Sequence, residues 1–371
     1  AQKERLVMRV LFAAGGTGGH IYPAIAVAQE VRSMNMESEI LFIAGTKEIE
    51  KRIISEAGFD CMTLPVMGLP RKASPLIFVF AWKLGVSIVK AIGYVRRFRP
   101  SVVMSTGGYV SGPTVIAARR LGIPVVIQEQ NSFPGIANRR LAGSADIVLL
   151  GFGDAGVYFE GKAETLVTGN PVRADVASGD RNRSAESFGL DPAKKTVLVF
   201  GGSQGARVLN RTFAVIAERL AERDIQTIWQ TGSLEYDDYI SRDGAHDGKI
   251  RVLRYIDAMR NAYAAADIVV ARAGAMTIAE INACGLPAVF VPLPTAAGNH
   301  QEHNARSLER AGAAVVITEG DLTPELCERT ILNIVSSAET LGRMGKASEG
   351  LGRKDAARKI AELLFERYGM N

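Results

Sequence analysis

The sequence predicts an α/β protein built from two Rossmann-like halves, each with a parallel sheet. Apolar, β-prone segments alternate with helical segments along the 371 residues, as is typical of βαβ units. The same order of strand, glycine loop and helix occurs at 8–31 and again at 195–219. A chain of this length is also long for one hydrophobic core, so two domains are expected.

The first element is the apolar strand 8–14, which runs into the glycines of 15–19 and a helix at 21–31. A strand, a glycine turn and a helix in this order form an anion site, because backbone N–H groups and the helix dipole favour negative charge. The loop lacks the third glycine of the dinucleotide fingerprint and the Gly-Lys pair of the Walker pattern. We expect a phosphate-bearing ligand here, with a plain tight turn as the alternative.

The remaining elements continue the alternation. The first half adds strands at 40–44, 101–105, 124–128, 146–150 and 165–168, a helix at 48–57, and a third glycine-rich loop at 105–112. In the second half, strand 195–200 enters the glycine loop 201–205, helix 207–219 follows, and further strands lie at 226–230, 250–253, 267–271, 288–292 and 314–317. The break between the halves is 169–173, followed by a polar segment, and ligand is expected between the halves at the carboxyl ends of both sheets.

The segment 76–95 is predicted to be a helix lying in a membrane interface. Its two lysines near the middle argue against a bilayer span. Together with Arg97, just beyond the segment, they recur every seven residues and so form one stripe on a helix. A core helix with one wet face fits the same pattern. The residues predicted to face the membrane are Leu76, Phe80, Trp82, Lys83, Lys90 and Arg97.

The charge distribution points to an anionic partner for the first half. The net charge is +5, yet residues 61–128 contain no Asp or Glu and nine basic residues, two of which are Arg71 and Lys72. Such a basic region suits a membrane or a nucleic acid. Nucleic acid is the least favoured partner, because the region lacks the interleaved aromatic and basic residues that stack bases.

Several side chains could carry chemistry, and each has a structural alternative. Arg173 could reach a diphosphate or form an interdomain salt bridge. Glu280 could accept hydrogen bonds from a ribose diol or form a capping box with Thr277. Asn131 could bind a sugar or start a turn. His20 could deprotonate a hydroxyl nucleophile or order its loop.

Neither a metal site nor a cofactor is predicted. His300 and His303 do not have the H-E-x-x-H spacing, the three cysteines are far apart, and no D-x-D triplet occurs. The missing triplet argues against the glycosyltransferase fold that holds its nucleotide through a metal. The cysteine pattern suits a reducing cytosol, and no signal peptide is expected.

Together these segments resemble the MurG family, the peripheral membrane N-acetylglucosaminyltransferases of peptidoglycan synthesis. The motifs that carry the resemblance, over essentially the whole chain, are AGGTGGH at 14–20, GGYVSGP at 107–113, EQN at 129–131, GNPVR at 169–173, GGSQGAR at 201–207 and GAMTIAE at 274–280.

The resemblance implies a GT-B fold, with two Rossmann-like domains facing across a cleft. The implied domains are 1–170 on the acceptor and membrane side, 171–345 on the donor side, and helices in 346–371 that return to the first domain. The implied reaction moves GlcNAc from UDP-GlcNAc to the MurNAc C4 hydroxyl of lipid I, inverting the anomeric centre to give the β1,4 linkage of lipid II. The enzyme would act without a cofactor at the cytoplasmic face of the cell membrane, and contacts with other cell-wall synthesis proteins are a further expectation.

The family's functional positions carry over to this sequence residue by residue. His20 is predicted to be the catalytic residue from its place on the first glycine loop, and the predicted acceptor loops include Gly15, Gly16, Gly107, Gly108 and Tyr109. The implied donor-binding residues are Thr17, Gly18, Gly19, Asn131, Arg173, Ser203, Ile256, Ala275, Met276, Thr277, Ile278, Ala279, Glu280 and Gln301, with Arg173 and Ser203 at the diphosphate, Ile256 at the uracil, Glu280 at the ribose and Gln301 at the GlcNAc.

The sequence departs from the family pattern at Gln128, where His is expected, and at His300, where Gln is common; the loop 294–298 is one residue longer. Two rival functions stay open. A UDP-GlcNAc 2-epimerase would use the same fold and donor without needing the interfacial segment. A nucleotide-sensing membrane scaffold would bind the donor without transferring its sugar.

Overall fold

The computed structural model describes residues 8–68 and 75–369. These residues form two compact units, one ending at Arg173 and resuming at Asp355, the other running from Ala174 to Lys354. The unit boundaries after Arg173 and Lys354 differ from the predicted ones, after residues 170 and 345, by three and nine residues. The second boundary moves because the helix at 338–351 packs on the helix at 275–283, within the second unit.

The first unit contains a seven-stranded sheet and its flanking helices. The strands are β1 (Arg9–Ala14), β2 (Glu39–Ala44), β3 (Asp60–Thr63), β4 (Val102–Gly107), β5 (Val125–Glu129), β6 (Ile147–Leu150) and β7 (Glu164–Val167). The helices are α1 (Gly18–Met34), α2 (Glu48–Glu56), α3 (Leu76–Phe98), α4 (Ser111–Arg120) and α5 (Ile136–Leu141).

The second unit contains a six-stranded sheet. Its strands are β8 (Lys195–Phe200), β9 (Ile225–Gln230), β10 (Ile250–Leu253), β11 (Ile268–Ala271), β12 (Ala288–Phe290) and β13 (Ala314–Val316). Its helices are α6 (Arg181–Ser187), α7 (Arg207–Glu222), α8 (Tyr236–Tyr239), α9 (Ala245–Gly248), α10 (Met259–Ala265), α11 (Ala275–Ala283), α12 (His300–Arg310), α13 (Pro324–Val335) and α14 (Ala338–Leu351). The final helix, α15 (Ala356–Tyr368), belongs to the first unit, where it packs on α1.

Both sheets are parallel and share one topology. The strand orders are β3-β2-β1-β4-β5-β6-β7 and β10-β9-β8-β11-β12-β13. The order reverses between β1 and β4 and again between β8 and β11, which is the arrangement of the Rossmann fold. The predicted α/β class with two Rossmann-like domains is confirmed.

The inner strands are apolar along nearly their whole length, because helices cover both faces of each sheet. β1 and β8 each bury five of their six residues. The sequence prediction missed β3, an edge strand whose residues are exposed or only half-buried. Its four residues lack the continuous apolar character of the inner strands.

The first helix begins earlier than predicted. α1 starts at Gly18 rather than Ile21, and Thr17 immediately before it has an extended backbone. Gly18, Gly19 and His20 are therefore the first helical turn and not part of the preceding loop. The two glycines have low helix propensity, which is why the sequence favoured a later start.

Candidate active site

The glycine loops of the first unit lie at the reversal point of its sheet, one following β1 and the other following β4. Their backbones approach so closely that a Cβ atom on Gly108 would overlap the carbonyl oxygen of Gly15. Gly108 also has a φ of +85°, which side-chain-bearing residues rarely adopt. Ligands of open α/β sheets bind at this reversal point, beyond the carboxyl ends of the strands.

His20 is fixed between the two loops. Its Nδ1 lies 3.0 Å from the carbonyl oxygen of Gly15. Its ring lies over Gly107, where a Cβ atom would come within 2.8 Å of the imidazole Cδ2. Its backbone carbonyl accepts a 2.7 Å hydrogen bond from the Thr106 hydroxyl. Because a carbonyl oxygen only accepts, Nδ1 carries the proton in this bond, and the lone pair of the neutral ring is on Nε2.

A buried carboxylate under the first loop was missed by the sequence analysis. Glu50 of α2 is only 3% exposed, and its Oε2 accepts a 2.8 Å hydrogen bond from the Gly45 N–H. A Cβ atom on Gly15 would lie 3.0 Å from the same oxygen. Glu50 therefore supports the floor of the loop. Its position in a short, charged helix gave no sign of this.

Asn131 follows β5 and is held by the buried Glu129. Its backbone N–H and its side-chain Nδ2 both donate to Glu129 Oε1, at 2.9 and 3.1 Å. Asn138 Nδ2 donates to the other carboxylate oxygen at 2.9 Å. Burial raises the pKa of Glu129, although these hydrogen bonds act in the opposite direction. Asn131 is thus both part of a turn and a positioned, half-buried amide.

Arg173 and Tyr109 are accessible in different ways. Arg173 is half-buried and forms no ion pair with a carboxylate of the described residues. Tyr109 is 61% exposed, and a Cβ atom on Gly68 would lie 2.7 Å from its hydroxyl oxygen. Among the described residues, neither side chain forms a hydrogen bond with the His20 ring.

The glycine loop of the second unit leads into an uncapped helix. A Cβ atom on Gly205 would overlap the carbonyl oxygen of Thr231, so the loop is pressed against the end of β9. α7 then runs for 16 residues, with no acidic residue in its first turn and no side-chain cap from the described residues. Ser203 is exposed in this loop. Free N–H groups at the start of a long helix favour an anion.

Gln230 connects this loop to the segment that contains Ile256. Its Nε2 donates to the Gly202 carbonyl at 3.0 Å, and its Oε1 accepts from the Ile256 N–H at 2.9 Å. Gln230 is 3% exposed. This role was not predicted from the sequence, although a glutamine that ends a buried strand is a signal for such a link.

The capping-box alternative for Glu280 is wrong. The residue that precedes α11 is Gly274, and Thr277 lies inside the helix, where it cannot cap. Glu280 instead accepts a 2.9 Å hydrogen bond from the Tyr263 hydroxyl. Among the other predicted nucleotide-contacting residues of α11, two are buried and three are half-buried: Ala275 and Ile278, and Met276, Thr277 and Ala279.

The predicted sugar-side residues begin α12. Gln301 is half-buried, and its Oε1 accepts a 3.0 Å hydrogen bond from the Leu293 N–H. Its amide nitrogen is therefore oriented away from that contact. His300 donates from Nδ1 to the Ala297 carbonyl at 2.8 Å, so this unusual residue stabilises the turn before the helix.

The predicted interfacial helix presents an apolar outer face. α3 is long and apolar enough to cross a membrane, with a mean hydropathy of 1.8, and only 11% of that apolar segment is buried. Its buried side is one row at four-residue spacing, Ser87, Ala91 and Val95. Trp82 is 74% exposed on the opposite side, with Phe78 and Val89.

The predicted cations of this helix flank its buried row. Lys90 and Arg97 are exposed, whereas Lys83 and the apolar Phe80 are half-buried and Leu76 is exposed. Arg71 and Lys72, also part of the basic region, lie outside the described residues.

The fold and the two glycine-loop sites define a GT-B glycosyltransferase. The glycosyltransferase family 28 N-terminal domain matches residues 10–150, and the glycosyltransferase family 28 C-terminal domain matches residues 196–362. The chain is 41% identical to the UDP-N-acetylglucosamine–N-acetylmuramyl-(pentapeptide) pyrophosphoryl-undecaprenol N-acetylglucosamine transferase of Desulforamulus reducens, over 95% of this chain and 97% of that protein. The crystal structure of Acinetobacter baumannii MurG matches with a TM-score of 0.76 and 27% identity, covering 97% of this chain and 99% of that one.

The chain belongs to this family of N-acetylglucosamine transferases, the MurG family. The predicted family, fold and enzyme class are confirmed. The UDP-GlcNAc 2-epimerase of Neisseria meningitidis also matches, with a TM-score of 0.69 over 97% of this chain and 100% of that one. At 15% identity that likeness shows a shared fold alone.

Proposed function

We propose that the two units of this N-acetylglucosaminyltransferase divide the binding of its substrates. The second unit supplies most of the residues that bind UDP-GlcNAc, with Thr17, Gly18, Gly19, Asn131 and Arg173 of the first unit as further donor-binding residues. The first unit binds lipid I, the undecaprenyl-diphosphate-linked MurNAc-pentapeptide. The observation that carries this proposal is the pair of glycine loops, each at the reversal point of a separate sheet.

The donor site rests on the loop 201–205 and on α11. The N–H groups at the start of α7, with Ser203 beside them, suit the diphosphate, and Arg173 adds a guanidinium that can bind it with two hydrogen bonds. Ile256 is aligned with this loop by Gln230 and lies at the uracil. Glu280 accepts from the ribose, and Gln301 presents its amide to the GlcNAc.

The transfer is an inverting displacement, in which the C4 hydroxyl of MurNAc attacks C1 of GlcNAc. The C1–O bond to the diphosphate breaks, and UDP leaves with the bonding electrons. Oriented N–H groups and Arg173 stabilise the charge that develops on the diphosphate. His20 takes the hydroxyl proton on Nε2, because its Nδ1 already donates to Gly15.

The same proposal places the enzyme at the cytoplasmic face of the cell membrane. The outer face of α3 supplies apolar side chains, including Trp82, for the lipid, and the basic region around it suits anionic headgroups. A lipid-linked acceptor is presented at such a surface. Contacts with other cell-wall synthesis proteins remain a prediction.

Labelled UDP-GlcNAc and a short-chain lipid I analogue test the function directly. The expected result is release of UDP that depends on the acceptor, with the label in a disaccharide product. Label that appears only in free UDP-ManNAc would support the epimerase, and donor binding without acceptor-dependent UDP release would support the scaffold.

A further inference from the structure

A set of buried amides in the first unit connects the segment that ends at Arg173 to the backbone of His20. Gln128 Nε2 donates to Asn170 Oδ1 at 2.9 Å, and Asn170 Nδ2 donates to the Gln130 carbonyl at 2.9 Å. Gln130 Nε2 donates to Gln128 Oε1 at 2.5 Å and to the Thr106 carbonyl at 2.6 Å. We call Gln128, Gln130 and Asn170 the amide network.

The hydrogen bonds of the amide network allow only one orientation of the Gln128 and Asn170 side-chain amides. Turning the amide of Gln128 by half a turn would place its NH₂ group against that of Gln130 and its oxygen against Asn170 Oδ1. Turning Asn170 would bring two oxygens and two NH₂ groups together in the same way. All three side chains are less than 5% exposed, so water cannot replace a lost partner.

Each end of the network leads to a residue with a proposed role in the reaction. At one end, Thr106 accepts from Gln130 and donates its own hydroxyl to the His20 carbonyl. At the other end, Asn170 precedes the buried Pro171 and Val172, after which the chain reaches Arg173. A Cβ atom on Gly151 would overlap the Asn170 amide, so this end has no room to move.

We propose that Gln128 is a positioning residue, whose amide network holds the backbones of His20 and Arg173 in fixed places for the transfer. The proposal rests on the proposed roles of those two residues. It assigns Gln128 no contact with substrate. A displacement of a catalytic group by about 1 Å can lower the rate by about a hundredfold. Gln128 can therefore affect the rate without contacting substrate, by fixing the positions of His20 and Arg173.

The proposal also explains why Gln stands where the family pattern has His. Gln128 uses one acceptor, towards Gln130, and one donor, towards Asn170. A neutral imidazole offers the same pair, one nitrogen accepting and the other donating. The two residue types are therefore interchangeable at this position in their hydrogen bonding.

The test compares Gln128→Met with Gln226→Met in the full chain. Methionine has nearly the length and shape of glutamine without its hydrogen bonds. Gln226 in β9 is a matched control, since it is 2% exposed. Its Oε1 accepts from the Asp191 N–H and its Nε2 donates to the Asp191 carbonyl, both at 2.8 Å. Both variants leave buried partners unsatisfied, so both should lose thermal stability.

Only Gln128→Met is expected to lower kcat, by about tenfold or more, with a smaller rise in the KM for UDP-GlcNAc, because Arg173 also contacts the donor diphosphate. Gln226→Met should keep the wild-type kcat below its melting temperature. Gln128→His should recover most of the lost kcat, which a purely steric role of Gln128 would not predict. Equal kcat values for wild type and Gln128→Met, or no recovery with His, would overturn the proposal.

Thr106→Val provides a second route if Gln128→Met does not fold. This change keeps the shape of the side chain but removes the hydroxyl that donates to His20, so kcat should fall with an unchanged KM for UDP-GlcNAc. An unchanged kcat would count against the network. A wild-type enzyme that releases no UDP with the acceptor analogue would instead contradict the proposed function.

Discussion

The Tyr263 hydroxyl donates a 2.9 Å hydrogen bond to Glu280 Oε2 and thereby joins α10 to α11. A carboxylate positioned by this hydrogen bond in the second turn of a helix is a defined acceptor for a ribose diol. Glu280 does not form a capping box, because Gly274, and not Thr277, occupies the position before the helix. The role of Glu280 can therefore be separated from helix stability.

Glu280→Ala is expected to weaken UDP-GlcNAc binding by about tenfold to a hundredfold, since hydrogen bonds to a charged group contribute about 1.5–3 kcal/mol. Calorimetric titration with UDP-GlcNAc measures this change. Thermal unfolding should show only a modest loss of stability, because the buried Tyr263 hydroxyl loses this partner. A large fall in melting temperature with unchanged donor affinity would contradict the ribose role.

His20→Ala should lower kcat by about 10²–10⁴-fold, the usual contribution of a general base. Donor affinity should change little, because His20 itself is not among the proposed donor-binding residues. The assay is acceptor-dependent UDP release at saturating donor. His246→Ala, which removes an exposed histidine of the second unit, is the matched control and should keep full activity. A His20→Ala enzyme with normal kcat would assign the base to another group.

Gly108→Ala should abolish turnover with the lipid I analogue, because the new Cβ would overlap the Gly15 carbonyl and force the two loops apart. Its left-handed φ adds to the cost. Gly112→Ala, four residues along, meets no atom within 4 Å and should be close to neutral. Steady-state kinetics of both variants check the pair. Equal activity would mean that the close approach of the loops is not required.

The sheet order and the glycine loops were predictable because they depend on local patterns: apolar strands, glycine turns and helices in strict alternation. Strand β3 was missed because it is a short edge strand without an apolar run. The start of α1 was misplaced because the sequence places two glycines in its first turn. Both errors arise where neighbouring elements override local propensity.

The candidate site was predictable only in part. The motif residues could be found, but Glu50 could not, because its charged helix resembles any exposed helix and its bond to the Gly45 N–H has no sequence motif. Gln230 left only the weak signal of a polar residue at the end of a buried strand, and its partner Gly202 lies 28 residues away. The choice between a cap and a ligand group at Glu280 also needed the position of Gly274. Side chains that support a site leave little trace in one sequence, because their partners are backbone groups.

The outer face of α3 is expected to bind anionic membranes. Trp82→Ser should reduce sedimentation of the protein with phosphatidylglycerol vesicles by several-fold, since a large exposed apolar side chain is removed from the interface. Leu234→Ser is the matched control, because Leu234 of the second unit is also 74% exposed. Soluble-substrate turnover should be unaffected in both variants. Equal vesicle binding by the wild type and Trp82→Ser would place the membrane contact elsewhere.

Glu129 makes stability depend on pH in a defined direction. Burial raises its pKa in the folded state above the ordinary value of 4.5, so the folded protein holds this proton more tightly than the unfolded chain. The contribution of Glu129 to stability is therefore complete below that ordinary value and is lost as the pH rises through the folded-state pKa. The glutamine in Glu129→Gln cannot ionise, so the variant does not lose this stability as the pH rises.

The melting temperatures of wild type and Glu129→Gln, measured in parallel from pH 4 to pH 8, test this dependence. Subtracting the two curves at each pH removes the titration of every other group that the substitution leaves unchanged. The amide introduces an NH₂ group facing donors such as Asn138 Nδ2, which is a cost that does not vary with pH. We therefore expect the wild type to lose stability relative to the variant as the pH rises, whatever the offset between them. A difference that stays constant, or moves in the opposite direction, would mean that Glu129 is already ionised at low pH and is stabilised by its four N–H donors.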